Sequence, residues 1–150
     1  MNLDGLFCEY RFCIGHPAGM AFYDHLASQN PLMPSEYKNG FIVAYQIPGT
    51  VINVMWLQAP NTADPQFLLD TILDDQADTK TGNLDVQLIR GMNVIYTPMT
   101  TTISPDLPFG GAAAWTCGDR VFAWKVYSPV AENARPMFDE ALSRFNCGQN

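Results

Sequence analysis

The sequence predicts an α+β fold: a largely antiparallel sheet of about five or six strands with two or three helices packed on one face, ending in a β-hairpin followed by a C-terminal helix. Three observations lead there. Strand-like segments follow one another directly, as in FIVAYQI and VINVMWLQ, parted only by Pro48-Gly49-Thr50. Helical spacing comes in isolated stretches, as in NTADPQFLLDTILDDQ. The stretch WTCGDRVFAW, residues 115–124, reads as two short aromatic strands folded about a turn.

Taken in order, LFCEYRFCI at residues 6–14 alternates as a half-buried strand, with Leu6, Cys8, Tyr10, Phe12 and Ile14 on one face. HPAG breaks it, and MAFYDHLASQ is read as a short helix. NPLMPSEYKNG is a loop, by its prolines and Asn-Gly. After the two strands already named, Pro65 suits a first helical position and Asp64 or Thr62 can cap it. Leu68, Leu69, Ile72 and Leu73 then share one helical face. LDVQLIRGMNVIYT keeps one parity through Leu84, Val86, Leu88, Met92, Val94 and Tyr96. It is either a long strand bulged at Arg90-Gly91 or a hairpin turning there. TPMTTTISPDLPFGG, residues 97–111, reads as a long loop, a candidate lid or rim.

The last unit can be read more closely. With Gly118-Asp119 as a two-residue turn, Cys117 faces Arg120, Trp115 faces Phe122 and Ala113 faces Trp124. The helix of residues 131–145 carries Ala134, Met137, Phe138, Ala141, Leu142 and Phe145 at intervals of three and four. Only Ser128-Pro129-Val130 separates strand from helix, so the helix must run back along the strand. Its roughly 15 residues span about 22 Å at 1.5 Å each. The strand from Arg120 to Ser128 spans about 26 Å. The helix therefore ends near the hairpin turn, and Cys147 is expected to bond Cys117. Cys8 and Cys13, placed in one strand, would point to opposite faces about 16 Å apart, beyond the roughly 7 Å a disulfide allows. Cys8 is accordingly expected to be a free, buried thiol.

At 150 residues the chain is expected to form a single domain, residues 1–150. Charged residues make up 15% and hydrophobic ones 47%, so much of the surface must be uncharged. That points to a pocket, a partner face or self-association, and a homo-oligomer is expected. Eight Lys+Arg against fifteen Asp+Glu, a net charge of −7, provide no basic stripe for nucleic acid or for an anionic membrane surface. No stretch approaches the roughly 20 apolar residues of a membrane span. Four cysteines in this low-charge chain favour an exported protein, periplasmic or extracellular, with its signal replaced by the starting Met. A cytoplasmic protein with free thiols is the alternative.

Metal and catalytic patterns are weak. Cys8, Cys13, His16 and His25 are spaced C-x4-C-x2-H-x8-H, which matches no zinc finger. DDQADTKTGNLD has Thr79 where a calcium loop needs its sixth-place glycine. No metal and no cofactor is expected. There is no G-x-S-x-G elbow and no phosphate-cradling glycine loop. Asp24, His25 and His16 are the candidate catalytic residues, although neighbours on a helix do not face each other. Trp56, Tyr96, Phe109, Trp115 and Trp124 are the candidate lining of an apolar ligand pocket under the 97–111 loop. The function expected is a non-enzymatic module binding a small apolar ligand or a protein partner. A small hydrolase or isomerase using a histidine and a nearby carboxylate is the alternative.

Overall fold

The computed structural model describes residues 5–9, 11–17, 21–24, 40–46, 50–58, 64–73, 79–102 and 105–147. Its elements in chain order are β1 (Leu6–Glu9), β2 (Phe12–Gly15), β3 (Ala21–Asp24), β4 (Gly40–Gln46), β5 (Thr50–Gln58), α1 (Gln66–Leu73), β6 (Thr79–Thr81), β7 (Asp85–Ile89), β8 (Met92–Thr101), β9 (Phe109–Cys117), β10 (Arg120–Ser128) and α2 (Ala134–Ser143). A single 3-10 turn, Ala131–Asn133, leads into α2. The class is the α+β one that the sequence predicts. The large sheet holds eight strands in the order β3-β4-β5-β10-β9-β8-β6, with β7 also paired to β8. All its pairings are antiparallel.

Its centre is the hairpin of β9 and β10. Arg120 pairs with Cys117, Phe122 with Trp115 and Trp124 with Ala113, the register read from Gly118-Asp119. Gly118 has φ 63, a left-handed value that glycine adopts without strain. Both faces of this hairpin are buried. One carries Trp115, Phe122 and Trp124, which pack with Phe138 and Phe145 of the C-terminal segment. The other carries Ala112, Ala114, Val121 and Ala123, on which Leu68, Leu69 and Ile72 of α1 lie. The two helices therefore sit on opposite faces, not on one as expected. The cause is the small alanines of β9, which let a second helix approach the back of the central strands. Asp64 caps α1 as expected, its Oδ1 accepting from the Gln66 amide at 3.0 Å.

Two further expectations are corrected, and one of two alternatives is decided. Residues 21–24 of the expected helix form strand β3, since pairing with Ile42–Tyr45 of β4 overrides the local helical pattern. The long 97–111 loop shrinks from both ends. Buried Thr97, Met99 and Thr101 continue β8, and β9 begins at Phe109. Threonine is β-branched and suits a strand as well as a loop. Arg90-Gly91 is a hairpin turn, with φ 51 and 81, so Leu88 pairs with Asn93 and Val86 with Ile95. Across such a turn the parity of the apolar residues splits: Met92, Val94 and Tyr96 are buried, while Leu84, Val86 and Leu88 are exposed.

The N-terminal alternation is also two strands rather than one. β1 and β2 fold back on each other, putting Cys8 opposite Cys13 with Cα atoms 4.1 Å apart, and the two are disulfide-bonded. Cys8 is not a free thiol. Phe12 and Ile14 of this small hairpin join the same core as α2. Cys117 and Cys147 are bonded as expected, their Cα atoms 6.1 Å apart.

The two bonds close chain segments of different length, separations of 5 and 30 residues. In the chain-entropy model the long one contributes about 3–4 kcal/mol and the short one about 2. Urea unfolding should therefore show a larger loss for Cys117→Ala/Cys147→Ala than for Cys8→Ala/Cys13→Ala. The reverse order would mean that the N-terminal hairpin, not the C-terminal tail, limits stability.

Candidate functional site

The end of the sheet at β6 holds a groove. β6 pairs antiparallel with the far end of β8, Thr79 opposite Thr101 and Lys80 opposite Thr100. The two threonine hydroxyls bond at 3.1 Å. Beyond β6 the chain stays tied to β8: the Gly82 amide donates to Pro98 O at 2.8 Å and Thr97 Oγ1 to Gly82 O at 3.1 Å. These bonds hold Lys80, Pro98, Thr100 and Phe109 around a groove of about 350 Å³, with Ala131 at its helix side.

Gly110 lines the groove, and Gly111 follows it in β9. A Cβ on Gly110 would come within 2.1 Å of the Val126 carbonyl, and one on Gly111 within 2.0 Å of the Tyr96 hydroxyl. Only glycine lets Tyr96 lie across β9 here. The Tyr96 ring stacks on Phe138 at 5.4 Å with the Arg135 guanidinium 4.7 Å above it. Burial pushes its phenol up to about 12, against the pull of Arg135, so the hydroxyl stays protonated.

Of the five aromatic candidates, Phe109 alone lines the groove. Trp56, Trp115, Trp124 and Tyr96 are no more than 5% exposed and belong to one core. Trp56 meets Phe12 at 4.8 Å, Trp115 meets Phe145 at 5.2 Å and Trp124 meets Phe138 at 5.2 Å. These four do not line the groove, because the register that aligns their rings also places them beneath α2 and the N-terminal hairpin. Sequence reasoning missed Lys80, which reads as part of a solvated acidic stretch. The only signal was its parity with Thr100 across a pairing that the sequence does not announce.

Of the catalytic candidates, His16 and Asp24 fall at the strand ends of different sheets. His16 follows β2 and is buried; its amide donates to Gly5 O at 2.7 Å and its Nδ1 lies 2.9 Å from Pro17 O. Asp24 ends β3 in the large sheet, opposite Ile42. His25 lies outside the described residues. Both N-terminal thiols are consumed by their disulfide, which removes them from any zinc ligand set with His16. Of the calcium-loop segment, Asp74 to Asp78 lie outside the described residues, and Thr79 to Thr81 are strand β6.

Comparisons with known proteins place the fold and nothing finer. No family model and no curated protein matches the sequence. Among solved structures, the chain is similar to the solution structure of cyanobacterial PsbP (CyanoP) from Synechocystis sp. PCC 6803, with a TM-score of 0.65. The match covers 96% of this chain and 93% of that one at 11% identity, a likeness of fold alone.

Burial lowers the His16 pKa below 6.5, the Pro17 carbonyl offsets part of that, and Arg144 lowers it further. The unfolded chain therefore takes up this proton first as pH falls. The contribution is intact above about pH 6.5 and is lost as pH drops through the folded value. His16→Gln should flatten the fall in unfolding free energy between pH 7.5 and 5. An unchanged slope would show that His16 titrates alike in both states.

Proposed function

We propose that this chain is an exported, non-enzymatic binding module that takes a small apolar ligand in the groove beside Phe109. The observation that carries this reading is the groove itself. Its volume of about 350 Å³ is within the roughly 300–1,000 Å³ of small-molecule sites. Phe109, Pro98, Met99 and Ala131 supply apolar wall, and Lys80 supplies one charge. Such a lining suits a molecule with an apolar body and an acidic end. Neither His16 nor Asp24 is among its described lining residues. Export is supported by the two disulfides, since such bonds persist in oxidising compartments.

Titration with anilinonaphthalene sulfonate, an anionic apolar dye, tests this. The dye should bind saturably, Phe109→Ala should weaken it about tenfold, the equivalent of about 1.4 kcal/mol, and Lys80→Ala several-fold. Leu88→Lys, on a different part of the surface, should leave binding unchanged. Binding indifferent to Phe109→Ala and Lys80→Ala, or lost in Leu88→Lys, would reject the groove as the site.

A further inference from the structure

We infer that the outer edge of β7 is a self-association surface, on which two copies of this chain pair as antiparallel strands about a two-fold axis at Val86. Among the described residues β7 is bonded on one side only, to β8. Its hairpin has a two-residue turn, Arg90-Gly91, with Ile89 and Met92 as the closing pair. In such a hairpin the closing pair exchanges both backbone hydrogen bonds, and bonded pairs then alternate along the ladder. Ile89, Gln87 and Asp85 thus direct their backbone groups to β8, and Val86 and Leu88 direct theirs outward, to an open edge.

The side chains of that edge are as unusual as its backbone. Leu84, Val86 and Leu88 lie on one face and are 44%, 66% and 72% exposed. Natural edge strands are protected by lysine, proline, a bulge or an inward-pointing charge. Residues 84–89, LDVQLI, contain no lysine, no proline and no glycine. Their single charge, Asp85, lies on the other face and is bonded to Arg135 at 3.0 Å. In a chain of net charge −7, this neutral apolar row is where a second copy meets no uncompensated charge.

The row is also complementary to itself. An axis at Val86 places Val86 opposite its own copy and Leu84 of each copy opposite Leu88 of the other. On the reverse face Asp85 of one copy meets Gln87 of the other, an acceptor against an amide donor. Matching of a segment with itself under a two-fold is what an isologous interface requires, and a different partner would need none of it. The edge is short beside the roughly 20–30 residues a side of a standard interface. The dimer is therefore weak and concentration-dependent.

Two measurements on the full chain test this. Sedimentation equilibrium should show a monomer–dimer exchange in the micromolar to millimolar range, abolished by Val86→Lys. That variant should keep the wild-type melting temperature, since the side chain is exposed. All described cysteines are disulfide-bonded, so an added cysteine is the free thiol. Val86→Cys, on the axis, faces its copy at about 5.5 Å and should oxidise to a covalent dimer. Leu88→Cys, offset from its own copy by about 14 Å along the strands at roughly 3.4 Å per residue, should not. A wild-type monomer throughout this range, a dimer that survives Val86→Lys, or equal cross-linking of both cysteine variants would overturn the inference.

Discussion

The structure depends on how the C-terminal tail is fastened over the tip of the central hairpin. Arg120, the first residue of β10, is 1% exposed. Its guanidinium donates to Arg11 O at 2.7 Å and to Cys147 O at 3.1 Å, and lies over the rings of Phe12 and Phe122. One buried cation thus binds the N-terminal hairpin, the central sheet and the tail. A guanidinium removed from water is costly unless its donors are satisfied, so those carbonyls must be present wherever Arg120 is buried. The Cys117–Cys147 bond beside it holds the tail in place. The Cys13 and Asn146 amides each donate to the other residue's carbonyl, at 2.8 and 3.0 Å, extending the small sheet by one bridge.

Two other arginines serve the same junction. Arg90 donates to the carbonyls of Leu142 and Ser143 at the C-terminal end of α2, and of Phe145 just beyond it. Its positive charge also suits the negative end of the α2 dipole. Arg144 reaches Gly5 O at 3.0 Å. The result is that the C-terminal end of α2 is held against the β7–β8 turn and the start of the N-terminal hairpin. The sheet's other end, with β6 and the groove, lies away from this junction. The groove and the junction thus stand at opposite ends of the sheet, and β7 runs into the Arg90 turn at the junction end.

What the sequence disclosed follows the strength of its local signals. Gly118-Asp119 between two aromatic runs gave the central register, and Pro65 with Leu68, Leu69 and Ile72 gave α1. The Cys117–Cys147 bond followed from element lengths alone. The N-terminal hairpin was hidden because its turn carries no glycine, proline or asparagine. Arg11 takes φ 64 there, and the same alternation describes one straight strand or two folded ones. The segment at 97–101 was hidden for a related reason: threonine serves strands and loops equally, and only the pairing with β6 and β9 decides. Of the groove, Phe109 was legible as an aromatic near a glycine pair, whereas Lys80 depended on a long-range pairing. Trp56, Trp115 and Trp124 were ambiguous in principle, because core and pocket aromatics share one pattern.

The claim that the tail is locked by the Arg120 junction is tested most directly by native-state hydrogen exchange at the Cys13 and Asn146 amides. If the junction is part of the cooperative core, both protons exchange only through global unfolding, with the same opening free energy as the Phe122 and Trp124 amides of β10. Exchange through an opening of only about 1–2 kcal/mol, while β10 stays protected, is the behaviour of a frayed terminus. That result would contradict the account.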